Sequence, residues 1–171
     1  MRKLALSLAA LVSLSTAGAA SAQTFVGSGT GPVSVDASLV VEHTIPGGIP
    51  CVWTASGSVG SGSVSTAFAP LPFTLCWALG IIPIQAANDF VIDPIPGDYS
   101  RVVISNITAN SVVGACGPGS VIAYVLPIGG PHVPPIGPPV ELYIPSQYIP
   151  GSPQPDCKIE GFVTLNNVVL I

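Results

Sequence analysis

Four cysteines, Cys51, Cys76, Cys116 and Cys157, are the residues of this chain whose type and spacing most clearly imply covalent chemistry. They stand 25, 40 and 41 residues apart with no Cys-x-x-Cys pair, so zinc has no local scaffold. An even set of widely spaced cysteines points instead to two disulfides. Three connectivities are open to four cysteines. The favoured one joins Cys51 to Cys76, closing an early hairpin region, and Cys116 to Cys157, tying a proline-rich stretch at its base.

The remaining reactive residues do not form a catalytic constellation. His43 and His132 are the only histidines, and each adjoins a Pro/Gly turn. No Gly-x-Ser-x-Gly elbow holds a nucleophile. Asp89, Asp93 and Asp98 are the only carboxylate cluster, set among Asn, Pro and Gly, where Asp usually makes turns. They lack the alternating Asp-x-Asp spacing of calcium loops. Trp53 and Trp77 each lie near a cysteine and read as core residues. Asn106-Ile107-Thr108 is a formal glycosylation acceptor. The reading is therefore of a non-enzymatic protein with no catalytic residue, metal or cofactor.

The chain opens with Met1-Arg2-Lys3, an apolar stretch over residues 4–16, and Ala20-Ser21-Ala22 just before Gln23. This pattern predicts a signal peptide over residues 1–22, cleaved on export. The apolar stretch is too short for a spanning helix, which needs ~20 residues. No later run is long and uninterrupted enough to form one, so no transmembrane segment is expected after cleavage. No cysteine at the cleavage point offers a lipid anchor. Residues 23–171 then form one extracellular domain, secreted or held in the periplasm or at the surface of a bacterial cell. Beyond the leader only Arg101 and Lys158 remain basic, against eight carboxylates. That balance excludes binding to a phosphate backbone, and hence nucleic acid.

Eighteen glycines and nineteen prolines cut this domain into pieces too short for ordinary helices, and Val, Ile, Thr and Ser fill the pieces. The fold class is all-β, an antiparallel β-sandwich or small closed sheet. In residues 33–39 apolar and polar side chains alternate with period two, as in a half-buried strand. Residues 51–59 form the next strand, with Cys51, Trp53 and Ala55 on one face. Gly60-Ser61-Gly62 returns the chain as a hairpin into residues 63–68. Residues 73–84 show neither period. Phe90-Val91-Ile92 is a short strand closed by a turn over 93–98. Residues 101–113 form the longest β run, and Cys116-Gly117-Pro118-Gly119 reads as a turn into 120–125. Residues 160–171 end the chain as a last strand pair or as one long strand bent at Asn166-Asn167.

Residues 127–155 carry ten prolines and read as a proline-rich loop, because proline removes the backbone donor a central strand needs. Val140 to Ile144 is the one strand-like island inside it. The bland reading is a surface connection; the functional one is a stiff recognition segment that presents Tyr143 and Tyr148 as a binding loop.

Several short motifs carry a family resemblance: Cys51-Val52-Trp53-Thr54-Ala55-Ser56-Gly57, Leu75-Cys76, Ile104-Ser105-Asn106, Cys116-Gly117-Pro118-Gly119-Ser120-Val121 and Cys157-Lys158-Ile159-Glu160-Gly161. With the leader, they resemble the exported bacterial proteins called "protein activator of alkane oxidation" (PraB-like). The resemblance implies a secreted β-rich protein linked to growth on hydrocarbons, with no defined catalytic site. The proline-rich stretch is longer than that pattern leads one to expect.

Two functions follow as expectations. A weakly charged, Val/Ile-rich surface can adsorb at an oil–water interface and help deliver alkane. Alternatively, the chain self-associates into an extracellular filament or adhesin by strand donation. The candidate donor strand carries Val33, Val35, Ala37, Leu39 and Val41 and follows a flexible stretch with Gly27, Gly29 and Gly31. Against donation stands the ordinary outcome, in which residues 33–41 pair within their own sheet.

Overall fold

Short β-branched runs punctuated by turn residues fold here into strands alone. The computed structural model describes residues 23–42, 48–67, 75–76, 90–111, 114–153 and 155–171. Among them are twelve strands and no helix. The first six are β1 (Phe25–Gly27), β2 (Ser34–Glu42), β3 (Ile49–Gly60), β4 (Ser63–Ala67), β5 (Leu75–Cys76) and β6 (Val91–Ile95). The rest are β7 (Asp98–Ser111), β8 (Gly114–Val125), β9 (Val140–Ile149), β10 (Gly151–Ser152), β11 (Cys157–Asn166) and β12 (Val168–Leu170).

β8, β7, β6, β4, β3, β2, β11 and β9 pair edge to edge in that order. β9 then pairs back onto β8, with Tyr124 opposite Tyr143 and Val125 opposite Leu142. The sheet thereby closes into an eight-stranded antiparallel barrel. Of the two architectures the composition allows, the chain takes the closed sheet and not the sandwich. β5 and β10 add short pairings to β3 and β8.

Period-two patterning fills the barrel. Along β2, Val35, Ala37, Leu39 and Val41 are buried while Ser34, Asp36, Ser38 and Glu42 face outward. Ile92, Val102, Ile104, Val121, Leu142 and Leu165 from other strands complete the same core. Along β2, apolar side chains inside and mostly polar ones outside are the reverse of a lipid-facing barrel strand. The hairpin at Gly60-Ser61-Gly62 forms as its sequence directs: Ser61 and Gly62 both take positive φ, 54° and 85°, the twist a two-residue hairpin turn needs.

One end of the barrel is sealed by the two-stranded β1–β12 ribbon. Phe25, Val168 and Leu170 are buried there. The Phe25 amide donates to the Gly62 carbonyl at the hairpin tip (2.7 Å). Ile136 and Leu170 exchange backbone bonds of 2.9 and 2.8 Å, which draws the 126–139 connection across the same end.

Three sequence readings change. The proline-rich stretch is not loop throughout, since β9 runs as a barrel strand over ten of its residues. Proline is tolerated because Pro145 falls at a bulge, where Pro145 and Ser146 together oppose Glu160. The Gln147 side chain replaces the missing ladder: its amide accepts from the Ile122 amide (2.9 Å) and donates to the Ile122 carbonyl (2.6 Å). Cys116-Gly117-Pro118-Gly119 is likewise not a turn but an irregular part of β8, where the register against β7 shifts. Gly117 is required there, because its φ is 83° and a Cβ would collide with the Ile107 carbonyl. The strand begun at Phe90-Val91-Ile92 continues to Ile95, and the turn shrinks to Pro96-Gly97. The leader, His43, Trp77, Asp89 and most of residues 73–84 lie outside the described residues.

Candidate functional site

Closure of β9 onto β8 aligns residues that are distant in sequence. Reading outward positions around the barrel, Val52 on β3 stands opposite Ser38 on β2, and Ser38 opposite Phe162 on β11. Phe162 stands opposite Tyr143 on β9, and Tyr143 opposite Tyr124 on β8. At ~4.8 Å per strand the row runs roughly 19 Å across five strands. The Tyr143 and Phe162 rings pack with centroids 5.2 Å apart at a 42° tilt. Phe162 and Val52 are more than half exposed, at 52% and 55%. Tyr124 and Tyr143 are half-buried.

Polar groups flank this strip on both sides, with Val40 and Pro50 beside Glu160 in the nearer row on the second. On one side Asp36 accepts from the Thr54 hydroxyl (2.5 Å) and from Asn166 Nδ2 (2.6 Å), and Asn166 also bonds Ser34 (3.2 Å). On the other, Lys158 Nζ lies 3.7 Å from Glu42 and 3.5 Å from Glu160. The site is thus an uncharged row, aromatic over Phe162, Tyr143 and Tyr124 and separated from Val52 by the Ser38 hydroxyl, set between hydrogen-bonded and ionic margins. Such a surface can remove apolar groups from water by contact.

Both tyrosines singled out from the sequence lie on β9 rather than on a loop. Tyr143 belongs to the aromatic row. Tyr148 is 68% exposed but stands in register with Lys158, away from that row. They face outward together because the bulge at Pro145-Ser146 reverses the strand's parity between them. Phe162, Tyr124 and Val52 were missed. In the sequence only Val52 falls on the face opposite Cys51 and Ala55, and the cross-strand register alone puts the three in one row.

The structure places the other singled-out residues as follows. Cys116 and Cys157 are buried and bonded to each other, with S–S 2.05 Å and Cα–Cα 5.7 Å, joining β8 to β11. Cys51 is buried and disulfide-bonded, and the backbone register sets Cys76 directly across from it. Val35, Ala37, Leu39 and Val41 point into the core, and β2 is paired along both edges, to β3 and to β11. Val33, just before β2, packs half-buried against that core.

Asp93 accepts a short hydrogen bond from the Ser63 hydroxyl. Asp98 begins β7 as a turn residue and pairs with Arg101 Nε at 2.5 Å. The Ser100 hydroxyl bond, outweighing partial desolvation and aided by Arg101 and the Ser100 amide, holds the Asp98 carboxyl below its usual range. His132 lies half-buried on the 126–139 connection, with no hydrogen-bond partner for Nε2. No three His, Cys, Asp or Glu side chains gather as a metal site among the described residues. No helix among those residues is long and apolar enough to cross a membrane.

No family model, curated protein or solved structure matches the chain.

Proposed function

We propose that this protein is an exported, non-catalytic barrel that acts at a hydrocarbon–water interface and promotes the use of alkanes by the cell that secretes it. The observation that carries the reading is the outward row Val52–Ser38–Phe162–Tyr143–Tyr124, in which Val52 and Phe162 are more than half exposed. Apolar area in one strip lets a rigid barrel lie on an oil surface while its Ser, Thr and carboxylate rows stay in water. The buried disulfide between Cys116 and Cys157 suits an oxidising compartment outside the cytoplasm. The resemblance to exported activators of alkane oxidation supports the same role.

The experiment is depletion of the oxidised protein from buffer by emulsified hexadecane, with light scattering on the unbound fraction. Saturable uptake by monomers supports the reading. Protein that stays in the aqueous phase at every droplet area refutes it. The filament reading has less support, because residues 33–41 would first have to give up the pairs that β2 makes with β3 and β11.

A further inference from the structure

The first residue after the expected signal-peptidase site is a glutamine whose side chain is buried without a hydrogen-bond partner. Gln23 continues the inward face of β1: it and Phe25 are buried while Thr24 between them is only partly so. Gln23 is 4% exposed, and neither Oε1 nor Nε2 of its amide has a hydrogen-bond partner. The backbone beside it is fixed, since Thr24 and Ile171 exchange amide-to-carbonyl bonds of 2.9 Å each way. Cleavage after Ala22 would add an α-ammonium group to this already unsatisfied residue. Burying unpaired donors is unfavourable, and burying an unpaired charge more so.

We propose that Gln23 is a modification site, at which the freed α-amine closes onto its own side chain to give an N-terminal pyroglutamyl lactam. The amine nitrogen attacks Cδ and forms the N–Cδ bond. The Cδ–Nε2 bond breaks, and Nε2 leaves as ammonia with a proton supplied by the amine. No oxidant, reductant or co-reactant is consumed. The product keeps one N–H and one carbonyl oxygen, and loses both the Nε2 donors and the basic amine. The neutral lactam is therefore the form of the terminus that this end of the barrel accommodates best. The inference rests on export and on cleavage before Gln23.

Tandem mass spectrometry of the exported full-length product tests it. The expected result is an N-terminal peptide that begins at residue 23, lacks one ammonia, and has no free α-amine. A peptide that begins at Gln23 with its amine free in the folded, aged protein overturns the lactam while leaving export intact. A peptide that begins elsewhere overturns the cleavage position and the proposal with it. Gln23→Asn retains an amide but would need a four-membered ring to close, so it should keep its free amine. Its Tm is expected a few degrees below that of the lactam form; equal Tm values would show that the site does not favour the lactam.

Discussion

Phe162 and Tyr143 illustrate how a pair of residues acquires a role that neither has alone. Their rings meet only because β9 and β11 pair in one register. Both point away from the core, so replacing them should cost little stability, within about 0.5 kcal/mol per site. Phe162→Ser with Tyr143→Ser should still reduce droplet adsorption by roughly tenfold, since about half of two aromatic burial terms is lost. Thermal melting of the same variant separates the two effects. Asp98 gives a second prediction. Its carboxyl is depressed by Ser100 and Arg101, so the folded state favours the ionised form. The resulting stability is present above the unfolded-state pKa, about 3.9, and is lost as pH falls through the lower folded value. Asp98→Asn should destabilise the protein by about 1 kcal/mol at neutral pH and flatten the acid limb of its pH–stability curve. An unchanged acid limb in urea titrations from pH 7 to pH 2 would contradict this.

The strands show how far local pattern reaches. The alternation of β2, the Ser61-Gly62 hairpin turn and the bend at Asn167, whose φ is 58°, follow from neighbouring residues and were legible in the sequence. The Cys116–Cys157 bond was legible as well, because four widely spaced cysteines leave few pairings. β9 was only half legible. Proline marks a lost donor, but nothing near Pro145 in sequence reveals that Gln147 supplies the bonds to Ile122 instead. Gly117 misled for a related reason: a bulged strand and a turn can both need positive φ. Gln147→Ala leaves the Ile122 amide and carbonyl without that partner and should cost about 1–3 kcal/mol. Guanidinium denaturation of this variant measures the loss, and an unchanged midpoint would show that the side-chain bridge is dispensable.

At the scale of the whole molecule, closure is the decisive fact, and composition could not choose between a sandwich and a barrel. That choice lies in the long-range pairing of β9 with β8, which also brings Tyr124 beside Tyr143. The aromatic row was therefore invisible until the ring of strands was complete. The disulfide from β8 to β11 closes a 41-residue loop and should contribute ~4 kcal/mol by restricting the unfolded chain. Cys116→Ser with Cys157→Ser should lower the denaturation midpoint accordingly, with the barrel still formed by circular dichroism. The most direct test of an interfacial role is pendant-drop tensiometry at a hexadecane–water interface. The oxidised wild-type protein should be compared with the Phe162→Ser, Tyr143→Ser variant. The wild type should lower the tension markedly, and the variant should need about a tenfold higher concentration for the same fall. Equal curves for the two proteins, or no fall for either, would contradict the interfacial role.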